Sequence, residues 1–396
     1  MDPVLLASPT SRPAFRFQSL DALRGLAAVW VYLFHYCFTE AVVRHFPRLH
    51  NLFKAGDRAV PMFFVISGFC LALSARTALK REEAPSKLLG RRAWRIFPPF
   101  WCSILFTVAI LELAALAAPH SGVAAPLETY TPWDWFKIAT LTRYLDQSAG
   151  IYFGRFGAIN GAYWTLAVEF QFYVIVCAAM FTGRHFYSTL LGITAISLVI
   201  YGNESWYFAC SECGICLSHW PWFSLGLAVY WLYERDWNPD RLFGRHWQGL
   251  TTTLVAAILG TIIVLGMKGI AIERMAFAGL CAVGIWCLLP LERELSRRFS
   301  GDNFAVRGLL ALGAASYSIY LIHNPAGIVV RGALKSVLHQ ESIGLDVLVV
   351  GITVYTGYVF YRCCEEPFQR ARKSRRDERQ PVAVQIPANR EVRKAA

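Results

Sequence analysis

Arg24 and His35 stand eleven positions apart in a stretch that is otherwise mostly apolar, and they are the first residues whose types and spacing could do chemistry. The stretch reads Leu20-Asp21-Ala22-Leu23-Arg24-Gly25-Leu26 and runs apolar to Phe34-His35-Tyr36. Eleven helical steps make three turns plus roughly 20°, so both side chains share one face, about 16 Å apart along the axis. An imidazole, with an ordinary pKa near 6.5, can accept a hydroxyl proton at neutral pH. Asp21, three positions before Arg24, can pair with it. The plain alternative is a satisfied structural histidine and an arginine snorkelling to the boundary.

Further polar groups interrupt other apolar stretches. Trp164-Thr165-Leu166-Ala167-Val168-Glu169 carries a carboxylate about two turns into its stretch. Burying that charge requires a partner or a proton. Its expected depth is similar to that of His35, so it could orient the imidazole as a carboxylate does in a catalytic triad. Ser316-Tyr317-Ser318-Ile319-Tyr320-Leu321-Ile322-His323 places a second histidine at that same expected depth. Val60 to Phe69 contains Ser67-Gly68, small residues that let helices approach closely. Arg91-Arg92-Ala93-Trp94-Arg95 precedes another apolar run. Arg92 and Arg95, three apart, present forked donors that match phosphate, although basic residues also collect beside spans for topology alone. Cys210, Cys213 and Cys216, near His219, have a metal-like spacing. In an extracytoplasmic loop a local disulfide is the better expectation, and no metal site is expected.

These groups need elements that hold them inside a bilayer. The 396 residues are 55% hydrophobic and 17% charged, where a soluble domain carries about 25% charged residues. Apolar runs of about 20 residues each cross a membrane as one helix. Ten spans are expected, at about 20–38, 59–76, 96–118, 163–181, 188–201, 218–233, 249–267, 272–290, 308–330 and 345–362. The fold class is therefore all-α, a polytopic membrane bundle. The net charge of +12 sits mainly between spans. It reads as a topology signal rather than as nucleic-acid binding. Most of the Lys and Arg fall on one side, notably between Arg76 and Arg95 and after Tyr361, which puts both termini in the cytoplasm. The first span then acts as an uncleaved anchor. Residues 1–18 form a cytoplasmic segment, 19–366 the membrane domain and 367–396 a basic, disordered tail. Residues 119–162 make a long outer segment with aromatic clusters at Trp133-Asp134-Trp135-Phe136 and Tyr152-Phe153. Cys37 and most other cysteines read as small buried hydrophobes.

The sequence resembles the acyltransferase-3 family of membrane acyltransferases. The resemblance rests on Leu-Asp-Ala-Leu-Arg-Gly at 20–25 followed by His35, and on Pro-Met-Phe-Phe-Val-Ile-Ser-Gly-Phe at 61–69. It extends through Arg-Arg-Ala-Trp-Arg-Ile at 91–96, Trp-Thr-Leu-Ala-Val-Glu at 164–169, Ser-Tyr-Ser-Ile-Tyr-Leu-Ile-His at 316–323 and Glu-Pro at 366–367. What it implies is an acyl-CoA such as acetyl-CoA as co-substrate, no permanently bound cofactor, and a carbohydrate or glycolipid acceptor. His35 would be catalytic with Arg24 and Glu169. Arg24, Arg92 and Arg95 would hold the donor. Asp21, Ser67, Trp164, Tyr317 and His323 would support the polar site. A fused hydrolase-like domain, common among such relatives, is not expected, and the implied location is the bacterial inner membrane. A transporter or flippase is the rival reading, since buried ionisable groups also build proton relays. Internal repeats would favour it, and none is visible.

Overall fold

The computed structural model describes residues 17–36, 38–117, 126–145, 159–270, 273–292 and 303–371. Cys37, Tyr152-Phe153 and the tail beyond residue 371 lie outside them. The described residues are helical throughout, with no strand among them. Each of the ten expected spans is a helix: α1 Gln18–His35, α2 Ala59–Lys80, α3 Pro85–Ala117, α4 Trp164–Met180, α5 Phe186–Gly202, α6 Trp220–Glu234, α7 Trp247–Met267, α8 Arg274–Leu288, α9 Phe304–Leu338 and α10 Ile343–Phe360. Eight of these, among the described residues, are long and apolar enough to cross a bilayer. The other two are α1, whose 18 residues include Asp21 and Arg24, and α6, which has 15 residues. The chain is thus a multi-pass helical membrane bundle.

Position in the bundle decides which helices can carry a site. The apolar stretch of α4 is 61% buried, whereas those of α5 and α7 are each 17% buried. Helices α5 and α7 are therefore a lipid-facing rim, and α4 belongs to the centre. Around α4 stand α1, α2, α3 and α9; α1 packs along α9, α9 along α10, α2 along α6, and α3 along α4.

Two crossings rest on missing side chains. A Cβ on Gly25 would meet the Gly313 backbone nitrogen at 2.6 Å, and a Cβ on Gly313 would strike the Asp21 carbonyl. Gly68 and Gly226 bring α2 against α6 in the same way. Without a hydrophobic drive between helices in lipid, such small-residue contacts supply the packing.

Three elements differ from expectation. Helix α3 starts at Pro85, so Arg91, Arg92 and Arg95 lie inside it, and Pro98-Pro99 are accommodated within its length. Each proline removes one backbone donor, and the nearby Ile96 carbonyl accepts from the Tyr317 hydroxyl at 2.9 Å. Helix α10 runs into a wider π-type turn, Tyr361–Glu365. Between α3 and α4, Trp133 and Phe136 stand exposed on a short helix, Pro132–Ala139, closed by a reciprocal Thr131–Asp134 capping box.

Candidate functional site

The polar residues of the core form a ladder between α1, α2, α3, α4 and α9. On its lowest rung α3 contributes Arg92 and Arg95. Arg92 Nη2 donates to the Cys70 carbonyl at 3.0 Å and to Ser74 Oγ at 2.5 Å. Its guanidinium lies over the Tyr173 ring, 5.4 Å from the centroid. Arg95 and Arg24 are half-buried, with their remaining surface turned into internal cavities. They feel each other's charge, which costs energy, and Glu169 and Glu365 offset it, with Asp21 near Arg24.

The middle rung is Glu169. Ser67 Oγ donates to its Oε1 at 2.7 Å, and Tyr173 OH donates to the same oxygen at 2.5 Å. Tyr173 follows Glu169 by four residues, so one helix face supplies both partners. Above it, Thr165 Oγ1 donates to Tyr320 OH at 2.8 Å. Tyr320 in turn donates to the Ala162 carbonyl at 3.2 Å, with Phe63 edge-on at 5.8 Å.

The top rung is a pair of histidines. His35 ends α1 and is exposed, while His323 on α9 is wholly buried. Their rings lie 5.2 Å apart, with His323 Nε2 at 3.4 Å from His35 Nδ1. The next residue of the chain is tied down separately. Tyr36 OH donates to Asp346 at 2.9 Å, and Thr39 Oγ1 donates to the same carboxylate at 2.6 Å.

Two cavities follow this ladder. A narrow one of about 60 Å³ is lined by Arg24, Arg92, Arg95, Ser67, Glu169 and Tyr320, among others. Its wall on α2 extends from Val60 to Cys70, about 15 Å of helix. A wider one of about 420 Å³ opens beneath it, between Asp21, Trp94, Glu365 and Phe368. Arg24, Arg95, Ser316 and Tyr317 face both. Val60, Phe63, Thr165 and Tyr320 line the upper part of the narrow cavity, and Tyr320 stands one helical turn below His323 on α9.

Most of the polar residues singled out in the sequence therefore converge. Arg24, Arg92, Arg95, Ser67, Glu169 and Tyr317 share one cavity, Asp21 lines the lower one, and His35 meets His323. Two expectations are corrected. Glu169 does not accompany His35; it lies well over a turn deeper, held by Ser67 and Tyr173. The reason is that α4 begins below the surface. Asn160 and Ala162, just before it, are buried and bound to Leu321 and Tyr320 of α9. Trp164 does not line either cavity; its ring packs at 5.2 Å on His219. The expected disulfide is likewise not seen at Cys210 or Cys216, which are thiols. No group of His, Cys, Asp or Glu among the described residues is arranged to hold a metal. Sequence reasoning passed over Tyr173, Tyr320, Asp346 and Glu365. Of these, Asp346 carried a usable signal, an ionisable residue inside an apolar span.

A helical membrane protein with a charged, cavity-lined core is the class that fold and site define. The chain belongs to the acyltransferase-3 family (Acyl_transf_3, acyltransferase domain), whose model matches residues 17–362. It is 24% identical, over 82% of its length and 93% of the relative's, to the exopolysaccharide production protein ExoZ of Rhizobium meliloti (strain 1021). It is 26% identical, over 88% and 82%, to the putative membrane-bound transacylase BcsY of Komagataeibacter xylinus. It is also 28% identical, over 55% and 63%, to the O-acetyl transferase of Shigella phage Sf6. No solved structure matches it.

Proposed function

We propose that the chain moves an acetyl or similar short acyl group from acyl-CoA to a hydroxyl of a cell-surface or lipid-linked carbohydrate, in the inner membrane of a bacterium. The observation that carries this reading is the continuous polar path from the arginines of α1 and α3 to the foot of the histidine pair. A donor with an anionic head and a long flexible arm ending in a thioester fits such a path. The wide lower cavity suits the head, and the narrow upper one suits the arm. Membership in an acyltransferase family and the names of the relatives support the same reaction class.

In this reading both termini are cytoplasmic, as the distribution of Lys and Arg favours, and the wide cavity faces the cytoplasm. Arg24, Arg92 and Arg95 neutralise the donor phosphates. Glu169, bound to Ser67 and Tyr173, balances the arginine charges beside the arm. The acceptor approaches the exposed His35 from the opposite side. His35 takes the hydroxyl proton as the oxygen attacks the thioester carbonyl; the C–S bond then breaks, and the proton passes from His35 to the departing sulfur, releasing CoA as its thiol. General-base help of this kind supplies about 10²–10⁴-fold. Phe63 lines the upper part of the narrow cavity, beside the arm's last few ångströms.

The test is acyl transfer by purified protein from radiolabelled acetyl-CoA to alkali-deacetylated surface polysaccharide of the producing cell. His35→Ala should lose transfer by at least about 10²-fold while still inserting in the membrane. Retained turnover in that variant defeats the assignment.

A further inference from the structure

We infer that His323 is a positioning residue that, together with the Val31 carbonyl, holds the tautomer of His35, leaving Nε2 of His35 as the atom that takes the acceptor's proton. This inference rests on the acyltransfer reading and adds the role of the second histidine. A backbone carbonyl stands beside Nδ1 of each ring. His35 Nδ1 lies 2.9 Å from the Val31 oxygen, and His323 Nδ1 lies 2.8 Å from the Tyr320 oxygen. A carbonyl oxygen can only accept. Each Nδ1 therefore carries hydrogen, and in a neutral ring each Nε2 is then a lone pair.

The geometry between the rings agrees with that assignment. His323 Nε2 faces His35 Nδ1 at 3.4 Å, so its lone pair meets the N–H that Val31 already holds. The opposite tautomer of His323 would set two N–H groups against each other and turn a lone pair toward the Tyr320 oxygen. When Nε2 of His35 takes a proton, the resulting positive charge is shared with Nδ1–H, which keeps two acceptors.

Access separates the roles of the two rings. His323 has no exposed surface, so it cannot touch an acceptor. It is held between the Tyr32 and Tyr320 rings, at 5.8 and 5.7 Å. Gly327 is what lets Tyr32 in: a Cβ there would come within 3.1 Å of that ring. His35 is exposed, and its Nε2 is bound by no described residue. The carboxylate whose charge acts on His35 is Asp57, which is itself paired with Arg58 and with Arg274 at 3.2 Å. His323 thus occupies the place that a carboxylate has in a serine-protease triad, and Glu169 does not.

The experiment uses the full-length protein in nanodiscs and has two arms. In the first, His323→Leu removes the acceptor while keeping the site apolar and filled, and His323→Gln can return an acceptor oxygen near the Nε2 position. Expected is a fall in kcat of about 10²-fold for His323→Leu, within the range general-base help provides. Donor KM and thermal midpoint should be unchanged, and His323→Gln should recover at least about tenfold of the loss. A purely structural role would lower both variants together with the midpoint, and that outcome overturns the inference. In the second arm, ¹⁵N-histidine spectra of the wild type, assigned with His35 and His323 variants, should show Nδ1 protonated and Nε2 unprotonated in both rings. An Nε2–H on His35 overturns the inference whatever the activity. Absence of any transfer by wild-type protein defeats the acyltransfer reading alone, because the spectra do not depend on it.

Discussion

Arg95 faces both cavities, and that position separates binding from chemistry among the site residues. A charged hydrogen bond contributes about 1.5–3 kcal/mol, so Arg95→Ala should raise the donor KM roughly 10- to 100-fold. Its kcat should stay within a few-fold, because the ring at position 35 is untouched. Equal donor KM values for variant and wild type would return this arginine to a topological role. Phe63 gives an independent test of the route. Replacing it with Ala removes a ring that lines the narrow cavity and widens it there, so butyryl-CoA should gain on acetyl-CoA as donor. Competition between the two thioesters measures the ratio, and an unchanged preference would place the acyl group elsewhere. Residue types and depth along a single helix were legible in the sequence, because helical rise is constant. Arg24, His35 and His323 therefore appeared at the right heights. Lateral neighbours were not legible: the grip of Ser67 and Tyr173 on Glu169 depends on which faces meet.

Helix crossings hold those residues in place, and the α1–α9 crossing carries both the arginine and the histidine rungs. Gly313→Val forces a side chain into the Asp21 carbonyl. Overpacking costs typically 1–3 kcal/mol, and more when backbone must move. The variant should lose several degrees in thermal midpoint together with activity, measured in detergent. An unchanged midpoint would show that the crossing is not tight. At the far end of α1, Asp346 accepts from Tyr36 and Thr39. Asp346→Ala leaves those buried donors unpaired, at about 1–3 kcal/mol.

The short helix Pro132–Ala139 provides a pH test away from the membrane spans. Hydrogen bonds from Thr131, then the nearby Arg143 charge, hold the Asp134 carboxyl below its usual range. A depressed carboxylate stabilises above its unfolded pKa and stops doing so as pH falls through its folded one. The protection of the amides in this helix, measured against their intrinsic exchange rates, should therefore fall on acidification below the ordinary aspartate range, and in Thr131→Ala it should already be low at neutral pH. The sequence showed where the long helices lie, α4 among them, but not how deep in the bundle α4 starts. Its first residues look like a membrane boundary, and only contact with α9 shows that they are buried. That difference displaced Glu169 from its expected level.

The whole molecule is a bundle whose centre is polar along one line and whose rim is apolar. Family, fold class and the positions of the long helices were readable from composition, span length and ordered motifs, because each reports on the chain locally. The cavities were not, since α1, α2, α3, α4, α9 and the continuation of α10 all contribute to them. The arrangement makes one demand on the molecule as a unit: donor and acceptor meet from opposite ends of the same path. Sealed proteoliposomes sorted for a single orientation test this most directly, with [¹⁴C]acetyl-CoA on the face of Arg24 and Arg95 and deacetylated polysaccharide on the face of His35. The account predicts free CoA on the first side and labelled polysaccharide on the second, both absent with His35→Ala. Labelled product only when both substrates share one side, or transfer that survives loss of His35, would contradict it.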